Sequence, residues 1–123
     1  MNQWSCEGDF KMHMIDVVIK PSALDKVKTN LAGLGVFGCT ALECKGFGKQ
    51  KGHTERYRGG RMDVGFVPKI LLKIAVKSED LNKALEIIKD AAGTGKVGDG
   101  KIFVYKLDQV MRIRTGETDD DAL

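Results

Sequence analysis

The chain contains few cysteines, few aromatic residues and no long apolar run. Its three cysteines are an odd number without the spacing of a disulfide framework, which favours a reducing compartment. No segment approaches the ~20 apolar residues needed to cross a membrane, and the N-terminus has no apolar signal-peptide core. These absences predict a soluble, cytoplasmic protein.

The net charge is also modest, because 20 lysines and arginines face 17 acidic residues and leave +3. A general coat for nucleic acid would need a larger excess, so we expect the basic residues to act at particular places. With 123 residues, 42% of them hydrophobic, the chain is long enough to bury one core without disulfides or metals. We therefore expect one globular domain.

Hydrophobic periodicity predicts strands and helices in a recognisable order. A helix is expected after Pro21, ended by Gly33 and Gly35, and a second helix is expected to be capped by Ser78 and to stop at Gly93. Alternating apolar residues predict four strands, at 14–20, 39–45, 67–77 and 101–107. The order β-α-β then β-α-β indicates a ferredoxin-like α+β fold, in which two helices cover one face of an antiparallel sheet.

The sheet face that the helices leave uncovered also carries apolar side chains. By strand alternation this face holds Val18, Leu71 and Ala75 together with Asp16. An apolar face of this kind favours oligomerisation, and a face left bare to solvent is the alternative.

Two glycine-rich basic stretches interrupt the pattern, at 46–60 and 93–101. Between Lys45 and Arg61 there are six lysines and arginines, one carboxylate, and only Phe47 and Tyr57 to bury. Such a segment cannot offset its ordering entropy by packing, so a long flexible loop should follow the second strand. Glycines expose backbone amides and the cations supply charge, which suits both loops to phosphate or carboxylate.

Three short motifs fit these loops only in part. The Gly46–Gly48 start of a dinucleotide fingerprint has its third glycine one place late, at Gly52, and no helix follows. An RNA-recognition signature fails because Lys49–Lys51 occupies the places of the stacking residues. The stretch Gly95–Lys101 has P-loop spacing, but Ile102 stands where a Mg²⁺-binding hydroxyl is needed. An amide cradle with a lysine on a phosphate remains open, as does plain solvation of the loop.

Arg112 and Arg114 stand two positions apart on a segment expected to be extended. Their guanidinium groups could meet one anion, or they could be a solvated strand edge.

Taken together, the stretches 45–55, 94–104 and 110–117 resemble the PII signal-transduction family, and the similarity runs from about Met14 to Leu123. The family forms trimers of ferredoxin-like subunits that bind ATP or ADP in clefts between neighbours. It senses 2-oxoglutarate and regulates partners in nitrogen metabolism without catalytic turnover. The resemblance therefore implies a single domain over 12–123, a homotrimer, and a regulator that is not an enzyme. Residues 1–11 precede the usual family start and are expected to be a disordered extension.

The resemblance also implies a nucleotide site. Lys101, Arg112 and Arg114 would hold the phosphates, with the amides of 98–100 alongside. Side chains on the sheet would flank the adenine or ribose. The nucleotide-binding positions are Val18, Thr40, Gly46, Phe47, Gly48, Lys49, Gln50, Ala75, Gly98, Asp99, Gly100, Lys101, Arg112 and Arg114.

In the same family, a site for the effector 2-oxoglutarate adjoins the nucleotide site. Gln50 would offer its amide oxygen to a Mg²⁺ ion that bridges ATP and 2-oxoglutarate, and Lys69 would pair with a carboxylate of the oxoacid. ADP lacks the γ-phosphate, so oxoacid binding should require ATP. The 2-oxoglutarate-binding positions are Gly48, Gln50, Lys51, Gly52 and Lys69.

The loop from about 48 to 65 matches the T-loop, with which the family selects its partners. Tyr57, Arg58, Arg61 and Met62 are the partner-binding positions. Arg58 matches the arginine that enters the pore of an ammonium transporter. Met62 stands where bacterial relatives carry a modifiable tyrosine, so that covalent switch is not expected.

The sequence also leaves alternative functions open. Lys73 replaces a glutamate found near the nucleotide in many relatives, which leaves the ATP-versus-ADP preference open. The main alternative is a PII-like adenine-nucleotide sensor that serves a different transporter or process without a 2-oxoglutarate response. A small ATPase is opposed by the lack of a convincing general base in the glycine loops.

Overall fold

The computed structural model describes residues 11–47 and 65–123, and these form a single four-stranded antiparallel sheet with two α-helices. The sheet order is β2-β3-β1-β4. The two pairs of strands that are farthest apart in sequence are β1 with β3, at the centre of the sheet, and β1 with β4, at one edge. The elements are β1 (Met12–Ile19), α1 (Leu24–Leu34), β2 (Thr40–Gly46), β3 (Val67–Lys77), α2 (Ser78–Ala92) and β4 (Gly100–Lys106). The predicted ferredoxin-like α+β fold is confirmed.

The core lies between the sheet and the helices because β1 and β3 each alternate apolar side chains toward one face. Within the described residues both helices contribute to the same layer. Each fully buried Ile, Leu or Val side chain stabilises the fold by about 1.5–3 kcal/mol relative to an exposed one. The fully buried residues are Ile15, Val17, Ile19, Val27, Leu31, Leu72, Ile74, Ala84 and Ile88.

Two helix boundaries differ from the sequence prediction. Gly33 lies inside α1, and the helix ends only at Gly35, where φ is +98° and the amide of Val36 donates to the carbonyl of Leu31. Ser78 does not cap α2 but is its first residue, because β3 runs directly into the helix. Its hydroxyl lies 3.0 Å from Nδ1 of His13 on β1 instead.

The helices cover one face of the sheet, and the strand register defines what lies on the other. On this open face three neighbouring rows run across the strands. One row holds Leu42, Leu71, Val18 and Lys101, the next Thr40, Lys73, Asp16 and Phe103, and the third Ala75, Met14 and Tyr105. Several of these side chains are apolar and exposed, including Leu42 and Phe103. The expected uncovered apolar face is therefore present.

Within the described part of the chain, neither α-helix is long and apolar enough to cross a membrane.

Gly100 is the position where the fold depends most directly on glycine. Its φ is +116°, and a Cβ built there would overlap the carbonyl oxygen of Val18 on β1. We therefore expect Gly100→Ala to disrupt the first β1–β4 pair and to lower the free energy of unfolding by about 2 kcal/mol or more. Urea denaturation monitored by circular dichroism measures this difference.

Gly33→Ala is the matched control, because a Cβ at Gly33 meets nothing within 4 Å and the residue is helical. This variant should be as stable as the wild type or more stable by about 0.5–1 kcal/mol. Equal midpoints for the two variants would show that the close approach at Gly100 is unimportant.

Candidate functional site

The second glycine loop, defined here as residues 93–100, joins α2 to β4. Three of its glycines have positive φ, namely Gly95 at +84°, Gly98 at +99° and Gly100 at +116°. Other residues rarely adopt these angles, so the glycine content of the loop is what permits its shape. Lys96 and Val97, between two of these glycines, are exposed. The loop therefore has little packing of its own and depends on polar bonds for its position.

Asp99 closes the start of the loop. One carboxylate oxygen accepts hydrogen bonds from the amides of Thr94 (2.7 Å) and Gly95 (2.9 Å), and the other accepts one from the Thr94 hydroxyl (2.6 Å). Lys20, just after β1, lies 3.4 Å from the same carboxylate. The Thr94 hydroxyl above all, and then these amides, hold the pKa of Asp99 far below its ordinary value. The amides of Thr94 and Gly95 are consequently occupied, which leaves those nearer β4 for an external anion.

Lys69 reaches the other end of the same loop from β3. Its ammonium donates to the carbonyl oxygen of Gly98 at 2.8 Å, across 29 residues of sequence. The residue is only 9% exposed, and within residues 11–47 and 65–123 no carboxylate forms an ion pair with it. The backbone of Gly46 packs against the side chain of Lys69, so closely that a Cβ added at Gly46 would lie 3.0 Å from Cγ of Lys69. Among the described residues this buried ammonium has one neutral acceptor, which suits it to an anionic ligand.

The predicted adenine-flanking and phosphate-binding side chains share the open face. Val18 is the register partner of Lys101, Thr40 lies in the next row, and Ala75 lies in the row beyond it. The four strands that carry these residues present them to the same side of the sheet. The fold thus brings together Val18, Thr40, Ala75 and Lys101, which the sequence separates by up to 83 positions.

A polar cluster of Asp16, Lys73 and Tyr105 lies among these rows. The ammonium of Lys73 contacts both carboxylate oxygens of Asp16 (2.9 and 3.1 Å) and the Tyr105 hydroxyl (3.1 Å). The hydroxyl itself donates to Asp16 at 3.2 Å. The hydrogen bond from Asp16, and then that from Tyr105, raise the pKa of Lys73. Sequence reasoning noted Lys73 but missed these partners, since only the register of β1 with β3 and β4 brings them next to one another.

The C-terminal arginines differ from their prediction. Arg112 and Arg114 do not lie on one extended segment, because the chain reverses between Met111 and Thr118, which form a bridge. Gly116, at φ +77°, permits the reversal. Arg112 pairs with Glu117 at 3.0 Å and also donates to the carbonyl of Ala122. Arg114 lies in the exposed turn.

A separate cavity of about 540 Å³ lies between the end of α2 and β4. Val17, Ile19 and Ile102 line it, and by alternation they point to the helix side of the sheet. Asp99, Gly100 and Lys101 line it as well, so this cavity adjoins the glycine loop from the helix side of the sheet.

The remaining predicted positions lie outside the described residues. These are Gly48, Lys49, Gln50, Lys51 and Gly52 of the nucleotide and effector sites, and Tyr57, Arg58, Arg61 and Met62 of the partner site. The expected flexible loop of about 48–65 and the expected disordered extension over 1–11 lie there too, apart from Gly65 and Lys11. At the edges of the gap, the rings of Phe47 and Phe66 are 5.6 Å apart.

Comparison with known proteins identifies the family of this chain. The family model for nitrogen regulatory protein P-II matches residues 12–117. The chain therefore belongs to the P-II family.

Several relatives match over nearly the whole chain. A nitrogen regulatory protein P-II from Rhizobium etli is 52% identical over 112 residues, which are 91% of this chain and all of that protein. Nitrogen regulatory protein GlnK of Escherichia coli is 48% identical over the same share of both chains. A crystal structure of Arabidopsis thaliana PII bound to citrate superposes with a TM-score of 0.75 at 29% identity, and covers 94% of this chain and 95% of that one.

Membership has direct consequences for function. P-II proteins are regulatory signal-transduction proteins and not enzymes, so the expectation of a non-catalytic role is confirmed. Nucleotide binding, 2-oxoglutarate binding and trimer formation are typical of the family.

The Asp99 contacts generate a pH prediction. Because the folded-state pKa of Asp99 lies below its ordinary value of 3.8, its carboxylate stabilises the fold fully above that value, and the contribution falls as pH drops further. We expect wild type to melt at a higher temperature than Asp99→Asn from about pH 8 to 5. The difference should shrink below about pH 4. Calorimetric melting across this range measures it.

Asp108→Asn is the control, since Asp108 is exposed and lies outside the glycine loop. It should cause little change in melting temperature at neutral pH. A constant gap between wild type and Asp99→Asn down to about pH 2 would contradict the assignment of these bonds.

Proposed function

We propose that this protein is a trimeric sensor that binds ATP or ADP together with Mg²⁺ and 2-oxoglutarate, and that regulates nitrogen-metabolism partners in the cytoplasm. The observation that carries the proposal is the bond between Lys69 and the carbonyl of Gly98. It joins the residue expected to bind the oxoacid to the loop expected to bind phosphate. Both parts of the sensor therefore adjoin within one subunit.

The glycine loop suits phosphates on physical grounds. Gly98 and Gly100 have no side chain to obstruct an approaching anion, and Asp99 turns its carboxylate back onto Thr94 and Gly95. Lys101 follows at once on the open face and is exposed. Backbone amides and a nearby lysine are the usual partners of phosphate oxygens. Arg112 would also bind a phosphate oxygen once it releases its ion pair with Glu117.

The surroundings of Lys69 suit a carboxylate. Its ammonium has three N–H donors, of which Gly98 takes one, and the described residues supply no carboxylate to it. A dicarboxylic oxoacid would provide the missing negative charge. Gln50, outside the described residues, would hold the Mg²⁺ ion, whose positive charge would favour binding of both the oxoacid and the nucleotide.

Trimer formation would cover the open face. Leu42 is 45% exposed and Phe103 is 52% exposed there, although both are large apolar side chains. Burial of such a face is a standard driving force for association. In the trimer the nucleotide would lie between subunits, with Val18, Thr40 and Ala75 toward its adenosine.

The partner is proposed from the relatives. Matches named GlnK favour a regulatory target such as an ammonium transporter, contacted through Tyr57, Arg58, Arg61 and Met62. The family's loop would present these residues.

A second function is favoured by Lys73. Its ion pair with Asp16 lies in the row that Thr40 shares, between the rows of Val18 and Ala75. This cation stands where many relatives carry a glutamate, so the nucleotide preference could differ. The alternative is a PII-like adenine-nucleotide sensor for another transporter or process, without an oxoacid response.

Isothermal titration calorimetry tests the proposal. ATP and ADP should bind the wild type, and 2-oxoglutarate should bind only in the presence of Mg-ATP. Gln50→Ala should abolish the oxoacid response while ATP still binds, because the metal loses a ligand. Gln109→Ala, at an exposed position away from the loops, should behave like wild type. Nucleotide binding without any oxoacid response would support the second function, and no nucleotide binding would reject both.

The proposed trimer makes a separate prediction. Analytical ultracentrifugation should give three times the 13.5 kDa subunit mass. Phe103→Asp places a charge on the open face, on the edge strand β4, and should yield monomers. Ile113→Asp is matched in chemistry, but Ile113 is 98% exposed in the C-terminal turn, so its variant should stay trimeric. Trimers in both variants would place the interface elsewhere.

A further inference from the structure

We propose that Lys69 is a positioning residue for the phosphate-binding loop and acts on nucleotide affinity before any oxoacid is present. This inference rests on the proposed nucleotide site. Its basis is that the ammonium of Lys69 is bonded to the loop itself, through the carbonyl of Gly98 at 2.8 Å. A residue that served the oxoacid alone would have no need of this bond.

The loop requires an external attachment because its own bonds secure only part of it. The Asp99 carboxylate ties Thr94 and Gly95, at the start of the loop. Beyond them, Val97 is 72% exposed and Gly98 has φ +99°, so neither packing nor backbone preference fixes this part.

Two side chains link the loop to the sheet, and they differ in strength. Lys20 approaches Asp99 at 3.4 Å, and its side chain is 37% exposed, so solvent weakens the pair. Lys69 is 9% exposed and makes a short bond from a charged donor. Charged hydrogen bonds in partly dry surroundings are the stronger ones. The loop position next to β4 therefore depends chiefly on Lys69.

Attachment of the loop and binding of an effector are compatible at this lysine. Within the described residues one of its three N–H donors is bonded, to Gly98, and the other two would serve a carboxylate. A carboxylate bound there would further immobilise the ammonium and, through it, the loop. Lys69 would then couple the two sites directly, in addition to any bridging metal.

The test is ATP binding to Lys69→Met in buffer free of 2-oxoglutarate. We expect the dissociation constant to rise by about tenfold, as fits the loss of one charged hydrogen bond. Lys45→Met removes the same charge from an exposed position on β2 and should change affinity less than about twofold. Lys69→Arg keeps the charge and the donors, and should recover most of the affinity. If Lys69→Met fails to fold, the ATP affinity of Lys69→Arg serves as the test of the inference.

Two readouts separate positioning from simple attraction of phosphate by charge. Amide hydrogen exchange in nucleotide-free protein should accelerate over residues 94–100 in Lys69→Met but not in Lys45→Met. The loss of affinity should also persist at about 0.5 M NaCl, where long-range attraction is screened.

Unchanged ATP affinity and unchanged loop exchange in Lys69→Met would overturn the inference. If the same variant nevertheless lost oxoacid binding, the proposed function would stand. If the wild type bound no nucleotide, the proposed function would fail and with it the effect of Lys69 on affinity. Loop exchange would then still decide whether Lys69 holds the loop.

Discussion

The register of β1 against β3 is the constraint on which the rest of this structure depends. It pairs Ile15 with Ile74 on the helix side and Asp16 with Lys73 on the open side. A slip of either strand by one residue would turn its buried side chains to the open side and would bring Asp16 or Lys73 under the helices without its partner. The strong apolar alternation of both strands opposes such a slip, because the observed register buries the core set of both strands together, namely Ile15, Val17, Ile19, Ile70, Leu72, Ile74 and Val76.

The functional side chains take their positions from that register. Once β3 is in place, Lys69 lies opposite Cys44 on β2 and can reach the glycine loop that precedes β4. Gly100 then allows β4 to begin against Val18, which brings Lys101 to the open face. The sheet thus fixes the positions of these side chains. Gly46 and Gly100 allow close approaches, to Lys69 and Val18, that larger residues would block. The loop carries little of its own stability and remains the adaptable part of the site.

Several features were predictable because they depend on local sequence. The strands, both helices and the end of α1 follow from periodicity and from Gly35, whose left-handed conformation ends the helix. The predicted cap at Ser78 was wrong because its partner, His13, is 65 residues away and no local pattern shows it. The predicted extended segment for Arg112 and Arg114 was wrong because Gly116 reverses the chain and Glu117 pairs with Arg112.

The class of fold, the uncovered sheet face, the second glycine loop and membership of the P-II family were predictable from the sequence, since these depend on patterns within short stretches. Only the tertiary structure decided which groups meet. The contacts of Lys69 with Gly98, Lys73 with Asp16 and Lys20 with Asp99 join residues 29 to 79 positions apart. Their distances are set by strand order and register, which bring remote segments to neighbouring strands, and local propensity contains no information about them.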